Sequence, residues 1–153
     1  MSEFDDAFAP LETKNTARMT LVGVKVYSAA NVVLIGVYAG PFNGKFESAS
    51  DKESKKYAAE LAADDSPEKR TLVNQIFARL ISRTVLTGWE NVCDRDGKPR
   101  PYTAEKGEEF LLALQKKRPK IAGSRGSIDF FFTNADNFCD GYGGGDVEVL
   151  GEA

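Results

Sequence analysis

Two neighbouring runs of β-branched and aromatic residues constrain the fold of this chain more than any other feature. The first run, ARMTLVGVKVYS, covers residues 17–28, and the second, NVVLIGVYAG, covers residues 31–40. Residues 28–31 (SAAN) are a plausible turn between them, so the pattern predicts a β-hairpin over residues 17–39. An isolated hairpin is only marginally stable in water. We therefore expect it to lie against helices or to join strands of other copies by edge addition.

The two strands differ in how their apolar residues are distributed. In the first run the alternation places Val22, Val24 and Val26 on one face. The second run is apolar on both faces, which indicates a strand that is covered on each side or completed by a partner.

The rest of the chain has mainly helical periodicity. Its clearest helix has apolar residues at three- and four-residue steps, with Ser66 as the N-cap, Pro67 at the first helical position and Gly88 as the C-terminal stop. We predict an α+β fold class, in which the N-terminal β-hairpin is followed by a bundle of about four helices. The predicted helices cover residues 43–63, 67–87, 103–118 and 121–138.

The length of 153 residues suits one domain with a substantial apolar core. We predict that residues 17–138 form this single α+β domain. Residues 1–16 mix acidic and apolar residues without a stable period, and we expect a flexible N-terminal arm. Residues 139–153 are rich in glycine and acidic residues, and we expect a disordered tail.

The absence of histidine argues against most enzymatic functions. The chain has no imidazole to act as general base near neutral pH, which excludes Ser-His-Asp and Cys-His nucleophile arrangements and histidine-ligated zinc. Carboxylate pairs and lysine bases remain possible, but no pattern brings an acid, a base and a pocket together. We expect a protein that is not an enzyme and has no cofactor, no metal and no catalytic residues.

Charge and cysteine content point to an ordinary intracellular protein. The net charge is only -3, so no global field attracts the chain to nucleic acid or to an anionic membrane. The basic run at residues 116–120 could contact a nucleic acid backbone, but a few cations at a helix end are commonly solvated and favour the helix dipole. Cys93 and Cys139 lack a CxxC pattern, and we predict free thiols, with Cys93 buried. We predict no membrane partner, because the longest apolar stretch is too short to span a bilayer.

Two local features invite a functional interpretation, and each has a structural alternative. Asp94, Asp96 and Gly97 faintly resemble a calcium loop, but Val92 and Thr103 occupy the first and twelfth positions, where oxygen ligands are needed. The pattern therefore favours a plain turn.

The single tryptophan, Trp89, follows the predicted helix stop and precedes this turn. It is either a core anchor that links two elements or a hot-spot residue for a partner.

The segment GWENVCDRDGKPRPYTAEKGEEFLLAL, residues 88–114, resembles a block of the tail-assembly chaperones of long-tailed phages. In that family a helix ends in a Gly-Trp pair, an acidic stretch leads to an Asp-Gly-Lys-Pro turn, and a Tyr-Thr or Phe-Thr step opens the next helix. The resemblance extends over residues 17–138. The KKRPK run, Gly123 and Gly126 depart from the family pattern, which puts the packing of the last helix in doubt.

The resemblance implies an assembly factor that binds the tape-measure protein and recruits tail-tube subunits. We expect such a protein in the host cytoplasm, with self-association and without a nucleic acid partner. The alternative is a structural virion protein, such as a capsid decoration, head–tail connector or minor tail protein, that binds neighbouring subunits. The predicted partner-binding residues lie on the hairpin and next to the turn: Val22, Val24, Val26, Val33, Ile35, Val37 and Trp89.

Overall fold

The computed structural model describes residues 16–41, 43–138 and 146–149. These residues form four strands, six α-helices and a short 3-10 helix at Ala135–Phe138. The strands are β1 (Thr16–Leu21), β2 (Val32–Val37), β3 (Leu86–Glu90) and β4 (Asp146–Val149). The helices are α1 (Gly44–Lys56), α2 (Ala58–Ala62), α3 (Pro67–Thr84), α4 (Ala104–Lys117), α5 (Pro119–Ala122) and α6 (Ser127–Thr133).

The strands form one sheet with the order β3-β2-β1-β4. β1 and β2 are antiparallel, with Met19 opposite Leu34, and β3 adds antiparallel to the other side of β2. β4 pairs in parallel with β1. The α+β class and the N-terminal hairpin are thus confirmed, and both edges of the hairpin are occupied by strands from later in the chain.

The hairpin differs from its prediction in where β1 ends. The N–H of Val24 donates to the carbonyl of Leu21 at 3.0 Å, and Gly23 between them has a φ of 86°, as in a type II turn. The turn shifts the alternation by one residue, so Leu21 and Val24 are both buried. The expected common face of Val22, Val24 and Val26 is therefore wrong, and residues 22–31 form a connection rather than the continuation of a strand.

The core lies between the sheet and the helices, on the face that carries Met19 and Leu34. A close approach occurs at Gly36, where an added Cβ atom would lie 2.8 Å from the Phe132 ring and 2.9 Å from the carbonyl oxygen of Val85. The absence of a side chain at this position lets α6 pack directly on β2. The largest fully buried apolar side chains are Met19, Leu21, Val32, Leu34, Ile81, Val85, Leu111, Ile121, Ile128, Phe132 and Phe138.

Helix α3 begins as predicted but ends earlier. The Ser66 hydroxyl accepts a hydrogen bond from the Lys69 N–H, and Pro67 occupies the first turn. The helix ends at Thr84, and Gly88 lies within β3, opposite Ile35. The prediction of helix up to residue 87 is wrong because pairing with the distant strand β2 outweighs local helix propensity.

The predicted helix over residues 121–138 is interrupted. An added Cβ atom on Gly126 would lie 2.9 Å from the Gly123 nitrogen, and one on Gly123 would lie 3.0 Å from the Pro119 carbonyl oxygen. The backbone therefore folds back on itself between α5 and α6. The doubt that the two glycines raised about this helix is justified.

The other two helices are close to their predicted bounds. Asn43 caps α1 by accepting from the Phe46 N–H, and a break at Tyr57 divides the predicted helix over residues 43–63 into α1 and α2. Thr103 caps α4 by accepting from the Lys106 N–H, as its position in the sequence predicted.

The structure tests only part of the predictions for the N-terminal arm and the C-terminal tail. Residues 1–15 of the predicted flexible arm lie outside the described residues, and residue 16 begins β1. The prediction of disorder for residues 139–153 is wrong for residues 146–149, because they form β4. The rest of that tail, with Cys139, lies outside the described residues.

Candidate functional site on the outer face of the sheet

The two faces of the sheet have different surroundings. Side chains of one strand point alternately to opposite faces, and Leu34 of β2 belongs to the core. Val33, Ile35 and Val37 therefore point the other way, towards what we call the outer face. Val33 is 7% exposed but does not belong to the core cluster, and Ile35 and Val37 are half-buried.

An ion pair crosses the outer face over β2. Arg18 on β1 lies opposite Ile35, and Glu90 on β3 lies opposite Val33. The Arg18 guanidinium donates to both Glu90 carboxylate oxygens, with Nη2–Oε1 at 2.7 Å. This hydrogen bonding lowers the pKa of Glu90 from its ordinary value. The pair passes over the middle of β2, which accounts for the burial of Val33 and leaves Ile35 and Val37 as the accessible apolar part of the face.

The open edge of the sheet is less suited to pairing than its outer face. β3 is an edge strand with no neighbour on its other side within the described chain. Ile35 pairs with Gly88 and Gly36 with Leu86, so Thr87 is an extra residue that forms a bulge. A bulge in an edge strand opposes the addition of a further strand.

Trp89 lies on the inner side of the sheet, opposite Leu34. Its ring packs edge-on against Tyr102, with the centroids 5.0 Å apart, and against Phe110 of α4, at 5.7 Å. Its Nε1–H donates to the Arg100 carbonyl at 2.8 Å. Trp89 therefore links β3, the following turn and α4, which confirms the interpretation as a core anchor.

Tyr102 also fixes this part of the chain, from β3 to α4, against α3. Its hydroxyl donates to the Ser82 carbonyl oxygen, and its ring is so close to Gly107 that an added Cβ atom would lie 2.6 Å away. Burial raises the pKa of the Tyr102 hydroxyl well above its ordinary value. Burial therefore favours the protonated phenol, which is the form that donates this hydrogen bond.

The acidic turn after β3 satisfies its own polar groups. The Asp94 side chain accepts from the Asp96 and Lys98 N–H groups, and Gly97 has a φ of 80°. These bonds make an Asx turn. In the described part of the chain, no group of three or more acidic, cysteine or histidine side chains could hold a metal ion.

The seven predicted partner-binding residues do not form one surface. Val33, Ile35 and Val37 share the outer face, whereas Trp89 faces the core. The other three lie in the connection between β1 and β2. Val24 is buried there, and Val22 and Val26 are half-buried. Cys93 is buried and free, as predicted.

Two exposed aromatic residues were missed by the sequence analysis. Tyr27 is 56% exposed with a φ of 52°, and Phe130 on α6 is 64% exposed. Tyr27 carried no signal, because it continues the alternation of a β-rich run. Phe130 falls within an aromatic triplet whose other two members, Phe131 and Phe132, are buried.

The outer face also contains an ion pair that could not be predicted from the sequence. Arg18 and Glu90 are separated by 72 positions, and only the sheet register brings them together. The alternation of Arg18 and Thr20 with buried Ala17, Met19 and Leu21 is the one local signal of this face.

None of the helices within the described residues is long and apolar enough to cross a membrane.

The family model described as YdaY prophage protein matches residues 40–123, from the end of the hairpin to the end of α5. The matched segment covers more than half of the chain and includes Trp89, the Asx turn and α4. No curated protein and no solved structure gives a significant match.

Proposed function

Because the chain belongs to the YdaY prophage protein family, we propose that it is a phage protein that acts by binding other phage proteins, as a tail-assembly chaperone. In this role it binds apolar segments of the tape-measure protein and recruits tail-tube subunits. The proposed activity is non-enzymatic, needs no cofactor and takes place in the host cytoplasm.

The outer face of the sheet is the observation on which the proposal rests most. Ile35 and Val37 are half-buried on a strand whose opposite face belongs to the core. A small apolar patch with a charged border is typical of a surface that binds a partner and releases it again. Arg18 and Glu90 supply that border and neutralise each other in the free protein.

The resemblance of residues 88–114 to tail-assembly chaperones supports the same proposal. In this protein the block has a supporting role, because Trp89 and Tyr102 hold β3 and α4 together. β3 in turn carries Glu90 to the outer face. Self-association through the outer face belongs to the proposal as well, since the same patch is available to a second copy.

Co-expression with the cognate tape-measure protein tests the proposal. We expect the chain to raise the soluble fraction of the tape-measure protein, and the double variant Ile35→Asp/Val37→Asp to lose this effect. The matched control is Ser54→Asp/Ala59→Asp, which adds the same charge at exposed helical positions. Equal solubility with and without the chain would refute the chaperone function.

Mass spectrometry of purified particles separates this function from a structural virion role. A chaperone is absent from finished virions or present only in trace amounts. Stoichiometric copies in the particle would instead favour the alternative of a capsid decoration, connector or minor tail protein.

A further inference from the structure

A cleft with basic walls lies away from the sheet, between the start of α3 and the segment that contains α5. It has a volume of about 710 Å³. None of the described residues that line it belongs to a strand, so the cleft is separate from the outer face. These described lining residues are Asp65, Lys69, Arg70, Val73, Asn74, Pro119, Lys120, Gly123, Ser124, Arg125 and Gly126.

The local sequence explains why this cleft is open. Ser66 and Pro67 start α3 at the edge of one wall, which places Lys69 in its first turn. On the other wall, Gly123 and Gly126 let the backbone turn back on itself where a continuous helix would close the gap. These two glycines, which depart from the chaperone pattern, therefore leave the cleft open.

Cations outnumber carboxylates among the described residues that line the cleft. Lys69, Arg70, Lys120 and Arg125 contribute four cations, and Asp65 contributes the one carboxylate of this described set. Asp65 pairs with Arg70 at 3.1 Å, but both side chains are more than 60% exposed, so the pair is well solvated.

The other lining residues limit what can bind. Val73 and Pro119 add apolar surface beside the cations, and none of the described residues that line the cleft is aromatic. Single-stranded nucleic acid is usually held by aromatic stacking in addition to cations, and the chain as a whole has a net charge of -3. An acidic peptide with interspersed apolar residues complements both the charge and the apolar surface.

We propose that this cleft binds an extended acidic segment of a partner protein. The inference does not rest on the tail-assembly role, because the cleft and the outer face share no residue. The cations attract the acidic segment and set its orientation, and Val73 and Pro119 contact its apolar residues.

A fluorescein-labelled peptide of alternating glutamate and alanine is a direct probe for this cleft. By fluorescence anisotropy at low salt we expect saturable binding that weakens as salt screens the charges. The variant Arg70→Glu/Arg125→Glu should bind roughly tenfold more weakly or worse, since each exposed cation contributes a fraction of a kcal/mol and reversal adds repulsion.

The matched control is Lys45→Glu/Lys52→Glu, which makes the same change in net charge on exposed positions of α1. This control should retain most of the binding. The neutral variant Arg70→Gln/Arg125→Gln should lose part of it, and thermal unfolding of each variant checks that it is folded. If charge reversal unfolds the protein, the neutral variant alone decides the comparison.

Three results would overturn the inference. The first is the absence of binding by the unmodified chain, and the second is an equal loss in the control and the cleft variants. The third is tighter binding of a single-stranded DNA oligonucleotide that depends on the same two arginines, because it would assign the cleft to nucleic acid.

Discussion

The two faces of β2 are made by alternate residues of one strand, yet they face different surroundings. Leu34 is completely buried against the helices, whereas its neighbour Ile35 remains partly accessible beside an ion pair. The side chains on the inner face stabilise the sheet by packing in the core. Those on the outer face remain partly accessible to solvent. A one-residue change of register would exchange the core-facing and the outward-facing side chains of β2.

Truncation of adjacent residues gives the largest contrast. Leu34→Ala should lower the free energy of unfolding by roughly 2–5 kcal/mol, because it leaves a cavity among packed side chains. Ile35→Ala should cost about 1 kcal/mol, since its side chain is only partly removed from water. Urea denaturation measures both. Equal losses would mean that the outer face is as tightly packed as the inner one.

Addition of a methyl group at Gly36 and at Gly88 compares the packing of the inner and outer faces. Gly36→Ala should cost about 1–3 kcal/mol, because its Cβ atom would overlap the Phe132 ring and the Val85 carbonyl. Gly88→Ala on the outer side should be close to neutral, since the nearest atom, Cδ1 of Ile35, is 4.0 Å away. Thermal unfolding of the two variants provides the test, and a destabilised Gly88→Ala would contradict it.

Loss of the tryptophan hydrogen bond has an intermediate effect. Trp89→Phe keeps most of the aromatic packing against Tyr102 but removes the donor to the Arg100 carbonyl. We expect a loss of about 1 kcal/mol in the free energy of unfolding. Amide hydrogen exchange should increase around Arg100 and remain unchanged in β1, and a uniform increase would argue against a local anchor.

Removal of the outer ion pair should have the smallest effect. Glu90→Gln should cost less than about 1 kcal/mol at neutral pH, because both partners are more than a third exposed. The pKa of Glu90 is lowered in the folded state, so its contribution is present above the unfolded pKa of about 4.3 and is lost as pH falls through the folded pKa.

The difference in stability between the unmodified chain and Glu90→Gln should therefore shrink in acid. Denaturation at several pH values below 5 measures this difference. A difference that stays constant across that range would show that the ion pair makes no contribution to stability.

Local signals in the sequence were sufficient for the elements whose contacts are local. Ser66 with Pro67 and Thr103 mark true helix starts, because an N-cap is satisfied within a few residues. Gly88 was misread as a helix stop, because its place in β3 depends on a strand about fifty positions earlier.

The two candidate sites show the same limit. Ile35 and Val37 were identified from the strand pattern, but the ion pair beside them depends on the order of the strands. The basic cleft combines residues 65–74 with residues 119–126, and neither segment alone indicates a binding site. Proximity across the chain is the information that residue spacing lacks.

The parallel pairing of β4 with β1 has a consequence for the newly made chain. A ribosome releases β1, β2 and β3 before residues 146–149, so the sheet can gain its fourth strand only after those residues have been made. Until then the β1 edge is an unpaired row of backbone donors and acceptors. An extended segment that reached this edge in that interval would have to compete with β4, which occupies the edge in the folded protein.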